Sequence, residues 1–145
     1  MRHLKITIFF LLAGLAGASG QTVTAAASAD AEAKAATEQL TAKYALTPDQ
    51  AKAMYVIQAR KLRNRAEIAS LKTGNPALYR RKEQNVQAGT LQSIRHLLTT
   101  KDQLKTFDKT QHDTRSAKAL KRKELTAGGA SKEAIDDAML AIYAE

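Results

Sequence analysis

A chain of 145 residues is the size of one domain, and its 23 Lys+Arg against 14 Asp+Glu give a net charge of +9. It has no Cys, which excludes disulfides, thiolate metal cages and Cys nucleophiles. Two Pro and seven Gly are too few for a turn-dense all-β fold, and the recurring Ala, Leu, Lys, Gln and Arg favour helix, so the expected class is all-α.

The N-terminus reads as a signal peptide. Arg2 and Lys5 precede thirteen apolar or small residues from Ile6 to Ala18. That run is short of the ~18–20 residues that span a bilayer, and its small-residue end suits cleavage after Ala18 or Gly20. The protein is therefore expected in the periplasm or outside the cell. Removing residues 1–20 leaves 21 basic against 14 acidic side chains, a net +7, and export weakens the nucleic-acid reading that such a charge invites. The aromatics left are Tyr44, Tyr55, Tyr79, Phe107 and Tyr143, a thin supply for a large core, so slender helices that complete their burial by dimerising are expected.

Residues 21–29 are small, polar and aperiodic, and read as a flexible lead-in to a helical domain over 30–145. A first, Ala-rich helix is predicted from Asp30 to Tyr44. The second opens on Leu46-Thr47-Pro48-Asp49-Gln50. Thr47 suits the N-cap, Pro48 the first helical position and Gln50 the reciprocal bond of a capping box, with Leu46 as hydrophobic staple. This helix is predicted to run to about Lys72. It carries two apolar stripes: Met54, Ile57, Ile68 and Leu71, interrupted by Lys61 and Asn64; and Ala51, Tyr55, Leu62, Ala66 and Ala69. Either one stripe meets a second subunit or a client, or the protein's own bundle covers both.

Asn75-Pro76 restarts a third helix, whose stripe is Tyr79, Val86, Leu91, Ile94, Leu97 and Leu98. The short link makes residues 48–98 an antiparallel helical hairpin. A second capping box follows: aligning Thr100 with Thr47 matches Gln103 with Gln50, 53 residues apart. The fourth helix is apolar only near Leu104 and Phe107, then charged through Lys121-Arg122-Lys123 to Gly128-Gly129. Ser131 caps a short last helix.

The complete motif Leu46, Thr47, Gln50 and the extended one Leu98, Thr99, Thr100, Gln103, in a small, basic, exported helical chain, resemble the Spy/CpxP-like family, named for its paired LTxxQ motifs. The resemblance covers roughly Leu46 to Phe107. The extra residue between Leu98-Thr99 and Gln103 departs from the family pattern. Such proteins are helical hairpins paired into thin antiparallel dimers. Known members include an ATP-independent chaperone that holds unfolding clients on a basic, partly apolar face, inhibitors of an envelope-stress sensor kinase, and metal-binding sensors. By that resemblance the partners are unfolded envelope proteins, a membrane sensor and a second copy of the chain, and the motif residues shape the fold more than they touch clients.

Capture of unfolding clients needs positive charge beside apolar groups. The residues that fit are Arg60, Lys61, Arg63 and Arg65 on the second helix and Arg80, Arg81 and Lys82 on the third, with Met54, Ile57, Ile68 and Leu71 as apolar contacts. Lys121-Arg122-Lys123 reads either as a binding site for anionic lipid, glycan or nucleic acid or as a solubilising helix end. His96, His112 and Asp113 are the nearest approach to metal ligands, at a spacing that suits no ordinary site. No cofactor is expected. Nucleophile elbows, P-loops and His-Glu-x-x-His are missing, so no enzyme is expected either.

Overall fold

The computed structural model describes residues 19–143 and 145. The expected signal segment, but for its last two residues, lies outside them. Six helices follow in order: α1 Ser19–Tyr44, α2 Pro48–Ile68, α3 Leu71–Gly74, α4 Pro76–Leu97, α5 Lys101–Ala127 and α6 Lys132–Ala141. Among the described residues there is no strand. The molecule is all-α, built on the α2–α4 hairpin with flanking helices.

The starts of α2, α4, α5 and α6 fall at the predicted caps. The hydroxyls of Thr47, Thr100 and Ser131 accept from the backbone amides of Gln50, Gln103 and Ala134, and the Asn75 side chain accepts from Leu78. Pro48 and Pro76 each sit in a first turn, where no amide proton is needed.

Two boundaries differ from expectation. The first helix begins at Ser19 rather than Asp30, so residues 21–29 are helical. Alanine loses no side-chain freedom in a helix, so an aperiodic Ala-rich run continues one readily. The second helix stops at Ile68 rather than near Lys72. There the Ala69 amide bonds back three residues to the Ala66 carbonyl, and the single turn α3 carries the chain to Asn75.

Between α1 and α2 the chain turns at Ala45, whose φ of 47° is left-handed. The Leu46 amide reaches back to the Thr41 carbonyl at 3.1 Å, closing a Schellman-type end. Leu46 is buried there, ending one helix and stapling the next.

The apolar core gathers Leu40, Tyr44, Leu46, Met54, Ile94, Leu98 and Phe107, with Ile57, Leu91, Leu97 and Leu104 packed against it. Helix α2 packs on both α1 and α4, so the bundle itself covers both of its sides. The contacts α1–α2, α2–α4, α4–α6, α6–α5 and α5–α1 form a closed circuit, and the segment after α6 turns inward. On α4 the predicted apolar stripe meets the buried line at Ile94 and otherwise flanks it: the rest of that line is Glu83, Gln87 and Thr90.

Candidate functional site

The two capping boxes meet. Each glutamine first completes its own box: the Thr47 amide donates to Gln50 Oε1 at 3.1 Å, and the Thr100 amide to Gln103 Oε1 at 3.2 Å. The side-chain amides then bond each other in both directions. Gln50 Nε2 donates to Gln103 Oε1 at 3.2 Å, and Gln103 Nε2 to Gln50 Oε1 at 2.9 Å. Gln50 also donates to the Leu97 carbonyl (3.0 Å), and Gln103 to that of Ala45 (3.5 Å). Both acceptors directly precede the buried leucines, Leu98 and Leu46. The extra residue of the second motif makes Thr100 the N-cap, while the Thr99 amide joins the same network at Gln103 Oε1 (3.0 Å). Two motifs 53 residues apart thus form one junction with approximate two-fold character.

Below the junction the packing turns polar. Gln58 and Lys61 of α2 and Glu83, Gln87 and Thr90 of α4 are all buried. Glu83 Oε1 accepts from Arg65 Nε at 2.9 Å and from Gln87 Nε2 at 3.1 Å, while Gln87 also reaches the Leu140 carbonyl at 3.0 Å. Gln58 Oε1 and Glu83 Oε2 are buried without a protein hydrogen-bond partner.

The far end of the chain completes this seam. Glu145 accepts from Tyr44 Oη and Lys43 Nζ (3.1 Å) through Oε1, and its backbone oxygen accepts from Lys61 Nζ at 3.0 Å. The cationic groups of Lys61 and Arg65 lie 5.7 and 5.8 Å from the Tyr143 ring centre, within cation–π range. Burial, reinforced by the neighbouring Arg65 charge, lowers the Lys61 pKa. Burial raises that of Tyr44, aided by its bond to Glu145, and that of Tyr143, aided by the Glu145 charge.

These contacts redraw the basic, partly apolar face expected from the sequence. Met54 is wholly buried in the core and Lys61 is buried in the seam, so neither is on a surface. Lys61, read as an interruption of an apolar stripe, lies on its buried centre line. Arg65 is held by Glu83. Arg80 faces Asp137 at 3.4 Å, beside a cavity of about 680 Å³ that Arg65, Lys72 and Glu83 also line. Arg60, Arg63, Arg81 and Lys82 are exposed, Arg60 donating to Ser93 Oγ at 2.7 Å. Ile57, Ile68 and Leu71 are half-buried.

Both His96 and His112 are exposed, and Asp113, beside His112, is taken by Lys109 at 2.6 Å. Among the described residues no three His, Cys, Asp or Glu cluster as a metal site would require. Sequence reasoning missed Gln58, Glu83, Gln87, Tyr143 and Glu145. The first three stand at core spacing, the one signal that could have drawn attention to them. Comparison with protein-family models, with curated proteins and with solved structures returned no match.

Proposed function

We propose that this protein is an exported, ATP-independent holdase or envelope-stress accessory of the Spy/CpxP-like kind, working as a homodimer. One observation carries the reading: the two motifs behind the resemblance are halves of a single junction, bonded amide to amide. Unfolding clients would meet the exposed cations Arg60, Arg63, Arg81 and Lys82, with the half-buried Ile57, Ile68 and Leu71 supplying modest apolar contact. Long-range attraction speeds such capture, and weak apolar contact lets the client leave.

The test is aggregation of a chemically unfolded acidic client, with and without the protein in several-fold excess, at low and moderate salt. Suppression that fades with salt is expected, together with its loss on charge reversal at Arg60, Arg63 and Arg81. Unchanged aggregation at both salts would sink the holdase reading.

A second reading has its own support. Among the described residues the large exposed hydrophobics are Val56 and Leu120, which is sparse for a promiscuous binder. That scarcity favours an interaction protein with one membrane stress sensor as its partner. A pull-down dominated by one membrane protein would decide for it; the remaining alternative, metal sensing, requires heat on titration with divalent ions.

A further inference from the structure

Helix α5 has two opposite faces. Gln103 and Phe107 are buried, and Thr110, Thr114, Lys118 and Leu125 are half-buried. At ~100° per residue this packed face centres roughly 150° away from an arc holding Lys101, Lys105, Lys109, Arg115, Arg122 and Lys123. All six are exposed. The stripe runs from Lys101 to Lys123, about 33 Å along a helix at its usual rise.

Little on the arc neutralises it. Its carboxylate Asp108 is taken by Arg95 of α4 at 3.1 Å, and Asp113, at the edge, pairs with Lys109. Asp102 lies at that edge too, and Glu124 pairs with Lys121 off the arc. Leu120, 71% exposed, borders the stripe near its C-terminal end.

We infer that this stripe docks the protein on an anionic lipid bilayer. A line of cations along one helix meets a planar charged surface all at once, and Leu120 adds an apolar contact for the acyl boundary. A nucleic acid fits less well, since the helix's aromatic, Phe107, is buried and leaves no stacking platform for bases. This surface is independent of client capture, which uses residues of α2 and α4.

The experiment is co-sedimentation of the protein, as isolated from an expressing cell, with vesicles. One set is phosphatidylcholine alone; the other contains about one third phosphatidylglycerol. Expected is preferential binding to the anionic vesicles that weakens with salt. Each basic residue near such a surface raises the partition constant by roughly fivefold, so K105E/R115E/K123E should lose about a hundredfold or more. The control K52E/K72E/K132E, equal in charge change but off the stripe, should stay close to the parent.

Because the chain has no Cys, Ser116→Cys on the arc can carry an environment-sensitive dye without altering the stripe's charges. Its emission should shift on anionic vesicles, while a dye at Ser70→Cys should not. Equal binding to both vesicle types, equal losses in the two triple variants, or no shift at position 116 would overturn the inference. So would tighter binding to duplex DNA than to vesicles at matched charge.

Discussion

The two halves of the hairpin are held by different means. At its open end, polar groups are neutral amides and hydroxyls, each satisfied within its own motif or the facing one, beside a continuous apolar core. Farther along, the same two helices bury Gln58, Lys61, Glu83 and Gln87, where Lys61 and Gln87 bond backbone carbonyls of Glu145 and Leu140 and Glu83 holds the charged Arg65. The first region is stabilised by apolar burial with local capping, the second by charge-assisted bonds whose desolvation cost is high.

The comparison breaks most easily at the core. Phe107→Ala should cost about 4 kcal/mol in denaturant unfolding, as truncation of a buried aromatic commonly does; a cost below about 1 kcal/mol would mean the open end is not the anchor. In the seam, Glu83→Leu alone leaves Arg65 without its partner and should cost about 2 kcal/mol, at the low end because the Arg65 side chain is 35% exposed. Adding Arg65→Met should return stability to within about 1 kcal/mol of the parent. If the double variant is as weak as the single one, the pair is not the reason for the loss.

Alkali tests the seam from another side. Tyr44 and Tyr143 have pKa values raised in the folded state, so their contribution is intact below pH 10 and is lost as pH rises beyond it, when the unfolded chain ionises first. Lys61 acts oppositely: its pKa is lowered, so the stability tied to its neutral form is present above the ordinary lysine value and lost as pH falls through the folded one. With two tyrosines against one lysine, stability at pH 11 should fall by about 1–2 kcal/mol. Absorbance at 295 nm should show these two hydroxyls titrating only as the protein unfolds. Their free titration in the folded state would mean the seam is wet.

The smallest effect sharpens the junction. Gln50→Ala and Gln103→Ala should each cost about 1–2 kcal/mol, and a double-mutant cycle should recover about 0.5–1 kcal/mol of coupling. Strict additivity would reduce the junction to two unrelated caps.

Local chemistry was legible in the sequence. Thr47, Asn75, Thr100 and Ser131 act where they stand, because a cap is decided within three or four residues. The hairpin followed from the short Gly74-Asn75-Pro76 link. What escaped depends on distant partners. Lys61 reads as solvated until Tyr143 and Glu145 are brought beside it, and Glu83 and Gln87 as surface until α6 covers them. The predicted client face suffered for that reason, losing Met54 and Lys61 to the interior while Arg60, Arg63, Arg81 and Lys82 stayed outside.

The choice of glutamine at the junction has a consequence of its own. Each of these two residues must accept from its cap and at the same time donate across to a carbonyl at the end of the opposite helix. Glutamate could accept but not donate, and lysine could donate but not accept. Only an uncharged amide of that length does both. The fastening therefore carries nothing that protons can titrate or salt can screen, so acid or brine that loosens the ion pairs farther along would leave the hairpin hinged at its open end.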